Sequence, residues 1–461
     1  MQKLLLTIAF VLTTHVSQAQ STQQVMNDLT AMQVAEQMAP GWNLGNTLEA
    51  GNNAYNYKNS GIGTETSWQP TKTSQAVIDY VKSLGFRSIR IPCAWVMGHI
   101  SNASNYTIDS RWMERVKEVV DYCINAGLYV ILNDHWDGGW LENNIASNDA
   151  SLKAKNHEVL KSIWTQIAET FKDYDEHLLF AGLNEPNVDD GDGRNAILGR
   201  QQTNRLVEYE QVFIDAVRAT GGNNAQRVLV IQGPSTDIDK TVKYMTDLPT
   251  DPATDRLAIE VHYYNPWQFW GMTKDENWGK MFYYWGNGNH HTGSQHNATW
   301  GEESTMRNQL QKMKTNFVDK GYPIIIGEFG ANWRDLSKQS GENQEKHNAS
   351  IKAHYRELHR LCKEFGGMVP YIWDINDVNQ HGTQGTMTVI NRRNLSIYNP
   401  YAMEGIQEIY PATTNTGVRG IKWNADRSAV FYSLQGVRVG TDLLRLPRGI
   451  YAKGGKKVIV Q

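Results

Sequence analysis

Two glutamates that follow apolar segments are the residues of this chain best placed to do chemistry. Glu185 comes just after the run 179–183, with one asparagine between, and Glu328 directly follows the run 324–327. A lone carboxylate at the end of a strand is more often a hydrogen-bonded structural anchor. Two that face each other can divide a displacement reaction, because one carboxyl protonates the leaving oxygen while the other attacks carbon. The pair therefore predicts acid and nucleophile chemistry if the fold brings both to one place.

The elements that must position the pair repeat one unit: a short apolar strand, a loop, an amphipathic helix and a closing glycine. One such helix has Asp109 as its cap, Val116, Val120 and Cys123 at helical spacing, and Gly127 at its end. The candidate strands are residues 41–44, 86–91, 128–132, 178–183, 228–231, 257–261, 323–326 and 368–373. Eight such units on one core predict an α/β fold, a (β/α)₈ TIM barrel. An open doubly wound sheet is the alternative, but no Gly-x-Gly-x-x-Gly turn follows the first strand.

In such a barrel the reacting groups lie at the carboxyl ends of the strands and in the loops just after them. The chemically capable residues at those places are Asn46, Arg90, Asn133, His135, Asn184, Glu185, His262, Tyr264, Glu328 and Trp373. Glu185 and Glu328, on the fourth and seventh strands, would face each other across the mouth, an arrangement that suits glycoside hydrolysis. Arg90 and the Tyr264 hydroxyl could keep one carboxylate ionised, and the two histidines could tune the acid or bind sugar hydroxyls.

Five motifs of the chain resemble those of glycoside hydrolase family 5. They are Gly41-Trp42-Asn43-Leu44-Gly45-Asn46, Arg90-Ile91-Pro92, Asn184-Glu185-Pro186, His262-Tyr263-Tyr264 and Ile326-Gly327-Glu328-Phe329-Gly330. They occur in the family's order within residues 25–410. The segment 42–50, together with Glu65-Thr66-Ser67-Trp68, is similar to subfamily 4. Members of that subfamily are mostly endo-β-1,4-glucanases, and several also act on xyloglucan or mixed-linkage glucan.

The resemblance implies a role for each matching residue. Glu185 would be the general acid/base and Glu328 the nucleophile of a retaining reaction. Asn184 would bond the 2-hydroxyl of the sugar, and Trp373 would form the floor of the subsite that holds the attacked sugar. The side chains that would tune the pair or bind substrate are Arg90, His262, Tyr264 and Asn46. The resemblance implies no cofactor and no catalytic metal.

The third strand departs from the family pattern. It ends in Asn133-Asp134-His135-Trp136, where the family commonly has adjacent histidines after the asparagine. We carry over His135 as a substrate-binding or tuning residue, and we take Trp136 and Trp140 as candidate sugar platforms. The preferred glucan stays open at this point. An endo-β-1,4-mannanase on the same fold is the alternative, because the same acid pair would serve it.

Composition argues against two classes of partner. The 461 residues include 45 Lys and Arg and 48 Asp and Glu, which gives a net charge of −3. The chain therefore has no excess of basic residues with which to bind nucleic acid. Beyond the N-terminus no apolar run approaches the roughly 18 to 20 residues that span a membrane. We expect a monomer whose partner is a β-glucan polysaccharide. A non-catalytic glycan-binding barrel is the rival from another class, and it would require the loss of at least one of the two glutamates.

Both ends of the chain resemble targeting segments. Residues 1–19 have Lys3, a short apolar run and the small-residue site Ser17-Gln18-Ala19, which predicts a cleaved export signal and a secreted or cell-surface protein. After the catalytic region, residues 411–418 are typical of a linker. Residues 419–461 alternate in short strands and resemble a sorting tail read by the type IX secretion machinery. A small β-sandwich accessory module is the alternative for this tail.

Three cysteines and one acidic loop remain outside the predicted site. Cys93, Cys123 and Cys362 are far apart and lack metal-ligand spacing, so we interpret them as buried apolar residues, with a pairing of two of them as the alternative. The run Asp189-Asp190-Gly191-Asp192-Gly193 is typical of a solvated loop, and a structural calcium is the alternative.

Most of the fifteen tryptophans fall on the same face as the glutamates. Twelve are at predicted strand ends or in the loops beyond: Trp42, Trp68, Trp95, Trp136, Trp140, Trp267, Trp270, Trp278, Trp285, Trp300, Trp333 and Trp373. This distribution predicts an open cleft that stacks on sugar faces. The loop 265–300 is the richest in aromatics, and we assign it to a wall of the cleft because a loop this long is usually functional. A small core under that loop is the alternative.

Overall fold

Eight parallel strands close into one barrel, which confirms the predicted fold. The structure is a computed structural model that describes residues 26–51, 61–379 and 381–412, and the backbone of four strands between 431 and 460. The barrel strands are β1 Gly41–Asn43, β2 Ser88–Ile91, β3 Tyr129–Asn133, β4 Leu178–Ala181, β5 Leu229–Gln232, β6 Leu257–Tyr263, β7 Ile324–Phe329 and β8 Met368–Ile372. Neighbours in sequence are neighbours in the barrel, and β8 closes it against β1.

Helices surround the barrel, and several of them end shortly before a closing glycine, as the repeated unit predicts. Their bounds are α1 Ala31–Met38, α2 Gln75–Ser83, α3 Ser110–Asn125, α4 Ala150–Phe171, α5 Ala196–Arg218, α6 Ile238–Tyr244, α7 Trp267–Trp270, α8 Glu303–Asn316, α9 Gln344–Phe365 and α10 Pro400–Ile409. Helix α3 begins where the Asp109 side chain accepts a hydrogen bond from the backbone of Arg111. The chain leaves it at Gly127, whose φ of 68° suits glycine.

The hydrophobic core of the barrel has two layers, and a small separate core of Met272, Met281, Tyr283, Tyr284 and Leu336 lies under the loop after β6, as the alternative for that loop predicts. The larger layer fills the space between strands and helices and includes Trp42, Trp95, Trp112 and Trp164. The smaller one fills the barrel itself and continues into the apolar face of α1. The three cysteines are buried and unpaired, in agreement with their interpretation as buried apolar residues.

A bulge in β7 sets the orientation of Glu328. Val261 of β6 pairs with Ile326, but the next residue, His262, pairs with Glu328, so Gly327 is an extra residue in β7. The register of β8 against β7 shifts at the same place. A bulge of this kind re-aims the side chain that follows it. It places Glu328 directly opposite His262 at the mouth of the barrel.

The tail forms a second unit, which begins at Thr413. Its strands Phe431–Ser433, Arg438–Gly440, Gly449–Lys453 and Lys456–Val460 form one antiparallel sheet. The predicted export signal and most of the predicted linker lie outside the described residues. Among the helices that the structure describes, none combines the length and apolar character needed to cross a membrane.

Candidate active site

Glu328 lies at the end of β7 among hydrogen-bond donors. Its side chain is 7% exposed. Arg90 Nη1 donates to its Oε1 at 3.0 Å, and the Tyr264 hydroxyl donates to its Oε2 at 3.0 Å. Burial raises the pKa of the Glu328 carboxyl above its ordinary value, while the charges of His262 and Arg90 oppose that rise. Both oxygens therefore meet donors that favour the ionised form.

Arg90 joins four strands at the base of the site. Its side chain is fully buried, and besides Glu328 it donates to Asn43 Oδ1 at 3.0 Å and to Asn184 Oδ1 at 2.7 Å. Its Nε lies 2.9 Å from an oxygen of Glu260 as an ion pair. A planar guanidinium with several fixed donors is suited to holding such a set in one geometry. The predicted residues Arg90, Asn184 and Glu328 are thus in direct contact.

Glu185 lies just beyond β4 and is held by His262. Its side chain is 45% exposed, and its Oε1 is 2.7 Å from His262 Nδ1. The other ring nitrogen of His262 faces Glu260 Oε1 at 3.3 Å. One oxygen from each of Glu185 and Glu328 and one nitrogen of His262 all lie within 4.8 Å of one another. The structure therefore brings the predicted pair together across the mouth of the barrel.

Charge and hydrogen bonding favour the proton of the Glu185–His262 pair on the histidine. Burial lowers the pKa of His262, but the charge of Glu328 and the hydrogen bonds to Glu185 and Glu260 raise it to about 10. Burial likewise raises the pKa of Glu185, and its bond to His262 holds that pKa below the ordinary value. At neutral pH the imidazolium carries the proton along the 2.7 Å bond. Glu185 can receive it by one short transfer.

The third strand contributes a stacked pair beside Glu328. The ring of His135 is parallel to the indole of Trp373 at 5.6 Å, and its Nε2 lies 3.9 Å from Glu328 Oε1. Asn133 donates to its other nitrogen at 3.2 Å. Burial and the positive charge of Arg90 hold the pKa of His135 well below its usual range, so the ring is neutral. Trp373 keeps part of its surface open to the mouth.

Three other predicted residues lie at the rim. Trp136 and Trp140 are half-buried, and the Trp140 indole donates to Asp134 at 3.2 Å. Asn46 has a left-handed backbone with φ of 57°, and its N–H donates to Glu49. In the described part of the chain, no hydrogen bond joins the Asn46 side chain to either glutamate. These residues remain candidates for contact with substrate alone.

Three residues of the site were missed by the sequence reasoning. Asn43 donates to the carbonyls of Gly327 and Ile372 and so joins β1 to β7 and β8. Glu142 accepts a hydrogen bond from the backbone of Glu185 at 2.7 Å, and burial raises its pKa to about 7. Glu260 is fully buried beneath Arg90 and His262. A polar side chain within an apolar strand was the available signal for Asn43 and Glu260.

Three of the twelve tryptophans predicted at the cleft belong to the core instead. Trp42, Trp95 and Trp285 are completely buried, and their indoles bond Asp374, Asn133 and Gly301, so they serve the core and not a cleft. Position in the sequence showed the correct face of the barrel, but it did not distinguish inward from outward side chains. Among the tryptophans that the structure describes, the most exposed indoles are Trp267, Trp278 and Trp300, all on the long loop that follows β6.

The acidic loop after β4 is closed by its own contacts. Asp190 accepts hydrogen bonds from Tyr244 and from the backbone of Gly193, and Asp192 pairs with Arg194. Among the described residues, Glu185, His262 and Glu328 form the only acidic and histidine group close enough to share an ion. Both nitrogens of that histidine face carboxylates, Nδ1 facing Glu185 and Nε2 facing Glu260.

Comparison with known proteins agrees with this geometry. The family model described as Cellulase (glycosyl hydrolase family 5) matches residues 50–379. The chain belongs to glycosyl hydrolase family 5. The predicted family and enzyme class, a glycoside hydrolase of the endoglucanase type, are thereby confirmed.

Three of the proteins similar to this chain are described as glucanases. The xyloglucan-specific endo-β-1,4-glucanase BoGH5A of Bacteroides ovatus is 37% identical over 76% of this chain, which spans 66% of that protein. XEG5B, a xyloglucan-specific β-1,4-glucanase from a ruminal metagenomic library, solved in complex with XXLG, is 46% identical. The match covers 83% of this chain and 97% of that one, with a TM-score of 0.74. A GH5-4 broad-specificity endoglucanase from Bacteroides salanitronis is 34% identical over 85% and 96% of the two chains, with a TM-score of 0.71.

Proposed function

We propose that this family 5 enzyme is a retaining endo-β-1,4-glucanase that hydrolyses xyloglucan and related β-glucans. Glu185 is the acid/base and Glu328 the nucleophile. The observation that carries the proposal is that one oxygen of each carboxyl group lies within 4.8 Å of the other. Retaining glycosidases hold the two groups about 5 to 5.5 Å apart, whereas inverting enzymes need about 6.5 to 9.5 Å to admit a water between them. The short separation supports direct attack by a carboxylate.

In the first step Glu328 attacks the anomeric carbon and the glycosidic bond breaks. Glu185 passes the proton that it receives from His262 to the leaving oxygen, so the reducing-end fragment departs as an alcohol and a glycosyl ester forms on Glu328. A cavity of about 190 Å³ beside Glu185, His262 and Tyr264 is open to receive that fragment. In the second step Glu185 takes a proton from water, which attacks the same carbon and releases Glu328 as a carboxylate. Arg90 and Tyr264 stabilise that carboxylate as it departs.

Xyloglucan is the proposed substrate because two of the relatives are described as xyloglucan-specific. One of them, XEG5B, has 46% identity to this chain and was solved with the oligosaccharide XXLG bound. A xyloglucanase must accept branches along the rim of its cleft. The half-exposed indoles of Trp267 and Trp300, with the more exposed Trp278, give the loop after β6 apolar faces on which sugar rings can stack.

Digestion of xyloglucan followed by proton NMR tests the reaction and its stereochemistry together. We expect the β-anomer of the new reducing end to appear first, because two displacements restore the configuration. In parallel assays on carboxymethylcellulose, mixed-linkage glucan and mannan, we expect xyloglucan to have the highest kcat/KM. The expected advantage is about tenfold or more, as one well-fitting side-group pocket provides.

Three outcomes would contradict all or part of this assignment. An α-anomer seen early would mean an inverting reaction and would remove the role of Glu328 as nucleophile. Activity confined to mannan would favour the mannanase alternative. Equal rates on all β-glucans would reject xyloglucan preference while leaving the retaining mechanism intact.

We also propose that the protein is exported and that its tail is a sorting domain for type IX secretion. The charged, apolar and small-residue order of segment 1–19 supports export. The antiparallel sheet of the tail supports a folded β module. In a host with that machinery, removal of residues 413–461 is expected to stop delivery to the surface or medium. Delivery at the normal level without the tail would refute its role.

A further inference from the structure

A third carboxylate, Glu260, lies beneath the proposed pair with donors around both of its oxygens. It stands two residues before His262 on β6, so both side chains point to the same face. Arg90 Nε lies 2.9 Å and His262 Nε2 lies 3.3 Å from its Oε1. Gln232 Nε2 donates to its Oε2 at 2.7 Å. The side chain is fully buried.

The orientation of Gln232 shows which form of Glu260 the site holds. The backbone N–H of Leu183 donates to Gln232 Oε1 at 2.8 Å, so the amide nitrogen of Gln232 must face Glu260. Both oxygens of Glu260 are therefore acceptors, and the group is a carboxylate. Burial raises the pKa of Glu260, but the charges of Arg90 and His262 hold it below its ordinary value.

This carboxylate determines which nitrogen of His262 carries hydrogen. Because Glu260 Oε1 can only accept, Nε2 of His262 must be protonated. The remaining nitrogen, Nδ1, is then the one that gains or loses a proton at Glu185, 2.7 Å away. Without Glu260, Nε2 would lose this acceptor, and the tautomer with hydrogen on Nδ1 would become available.

The backbone of β7 at Gly327 leaves space for the Glu260 carboxylate. A methyl group at position 327 would overlap Glu260 Oε1, so the residue before Glu328 has to be glycine. Gly327 is also the extra residue of the β7 bulge that turns Glu328 towards His262. The space for Glu260 and the orientation of Glu328 therefore depend on the same residue.

We propose that Glu260 is a positioning residue that fixes the His262 tautomer for proton exchange with Glu185 and holds Arg90 against Glu328. This rests on the proposed roles of Glu185 and Glu328. It acts only through its neighbours, because no surface of Glu260 is open to substrate.

The negative charge of Glu260 and the titratable groups that face it determine the sign of the expected pH effect. The groups that face it are Arg90 on β2, His262 on β6, Glu328 on β7, Glu185 after β4, Glu210 on α5 and Tyr371 on β8. Removal of one negative charge favours loss of the proton shared by His262 and Glu185. The basic limb of the kcat/KM profile, which reports that loss, must then move to lower pH.

The test is Glu260→Gln in the full chain, with kcat/KM measured against pH on a β-glucan that the wild type hydrolyses. In Glu260→Gln, an amide nitrogen replaces one carboxylate oxygen. It must face either Gln232 or the cations Arg90 and His262, and all three of these groups are donors. We expect the basic limb to move down by about one pH unit or more. We expect kcat/KM at its optimum to fall about 10- to 100-fold.

Glu210→Gln is the matched control. Glu210 is also fully buried and accepts from the backbone of Gln232 at 2.8 Å, but among the described residues its other oxygen has no hydrogen-bond partner. Burial raises its pKa well above the ordinary value, so the group is neutral and an amide resembles it. We expect Glu210→Gln to keep the pH profile of the wild type. Glu260→Asp, which keeps the charge, is expected to retain the wild-type basic limb and serves if Glu260→Gln fails to fold.

A second readout does not depend on turnover. The His262 ring, observed by nitrogen-15 NMR in histidine-labelled protein, is expected to titrate at lower pH in Glu260→Gln than in the wild type. An unmoved basic limb in Glu260→Gln would overturn the proposal, as would an equal loss of activity in Glu210→Gln. If the wild type hydrolyses no β-glucan, the proposed function fails, while the NMR titration still decides the coupling of Glu260 to His262.

Discussion

Replacement of Glu328 by glutamine is expected to abolish turnover while substrate binding persists. The amide cannot form the glycosyl ester, and loss of a covalent nucleophile costs on the order of 10⁴- to 10⁶-fold in kcat. The fold should tolerate the change, because Arg90 keeps its ion pair with Glu260 and its hydrogen bonds to Asn43 and Asn184. The measurement is kcat on xyloglucan, together with calorimetric binding of a xyloglucan oligosaccharide to the inactive variant.

Glu208→Gln is a suitable control for this experiment. Glu208 is an exposed carboxylate on α5, paired with Lys153 at 2.6 Å, and it lies outside the catalytic group and the loop after β6. The same chemical change there is expected to leave kcat near the wild-type value, because exposed ion pairs contribute little. Near-normal turnover in Glu328→Gln would refute its role as nucleophile. Loss of binding along with turnover would point to a structural role.

Glu185→Gln is expected to reduce hydrolysis of polysaccharide by about 10²- to 10⁴-fold, the usual contribution of a positioned general acid. The effect on the first step should be much smaller for an aryl glycoside with a good leaving group, because that group departs without a proton. The second step should then be slow for every substrate, since no base activates water. We expect a burst of released phenol followed by slow turnover, measured by stopped-flow absorbance.

The dependence on the leaving group separates a proton donor from a residue that only binds. Equal losses on polysaccharide and on the activated glycoside, with no burst, would mean that Glu185 is not the acid. The pH profile of Glu185→Gln tests the role of His262 as well. In this variant the 2.7 Å hydrogen bond of His262 can no longer carry a proton to residue 185. The basic limb of the residual activity should therefore differ from that of the wild type.

The sequence alone predicted the barrel because its signals are local. Each strand is a short apolar run, and a glycine ends most of the helices that precede a strand, so the eight units are visible without any long-range information. The observed strands begin and end within three residues of the predicted bounds. Strand ends in a closed barrel must meet at one face, and this placed Glu185, Glu328, Arg90 and His262 in the same site.

The details of that site could not be predicted in the same way. Glu260 is a single acid in the apolar strand β6, and its partners Arg90 and Gln232 come from 170 and 28 residues away in sequence. The same limit applied to Trp42, Trp95 and Trp285, which are in the core although their positions suggested the cleft. Whether an aromatic side chain points inward depends on the packing of its neighbours, which the sequence order does not contain.

The sequence by itself determined the family and the barrel and predicted the roles of the two glutamates, because residue type and apolar periodicity are local properties and the motifs occur in the family's order. The tertiary structure decided how close the two carboxylates come and how their proton affinities differ. Their approach to within 4.8 Å, the contact of His262 with three carboxylates and the ion pair between Arg90 and Glu260 arise only when the barrel closes. Proton affinity in a buried site depends on the distances between charges, and these distances exist only in the folded chain.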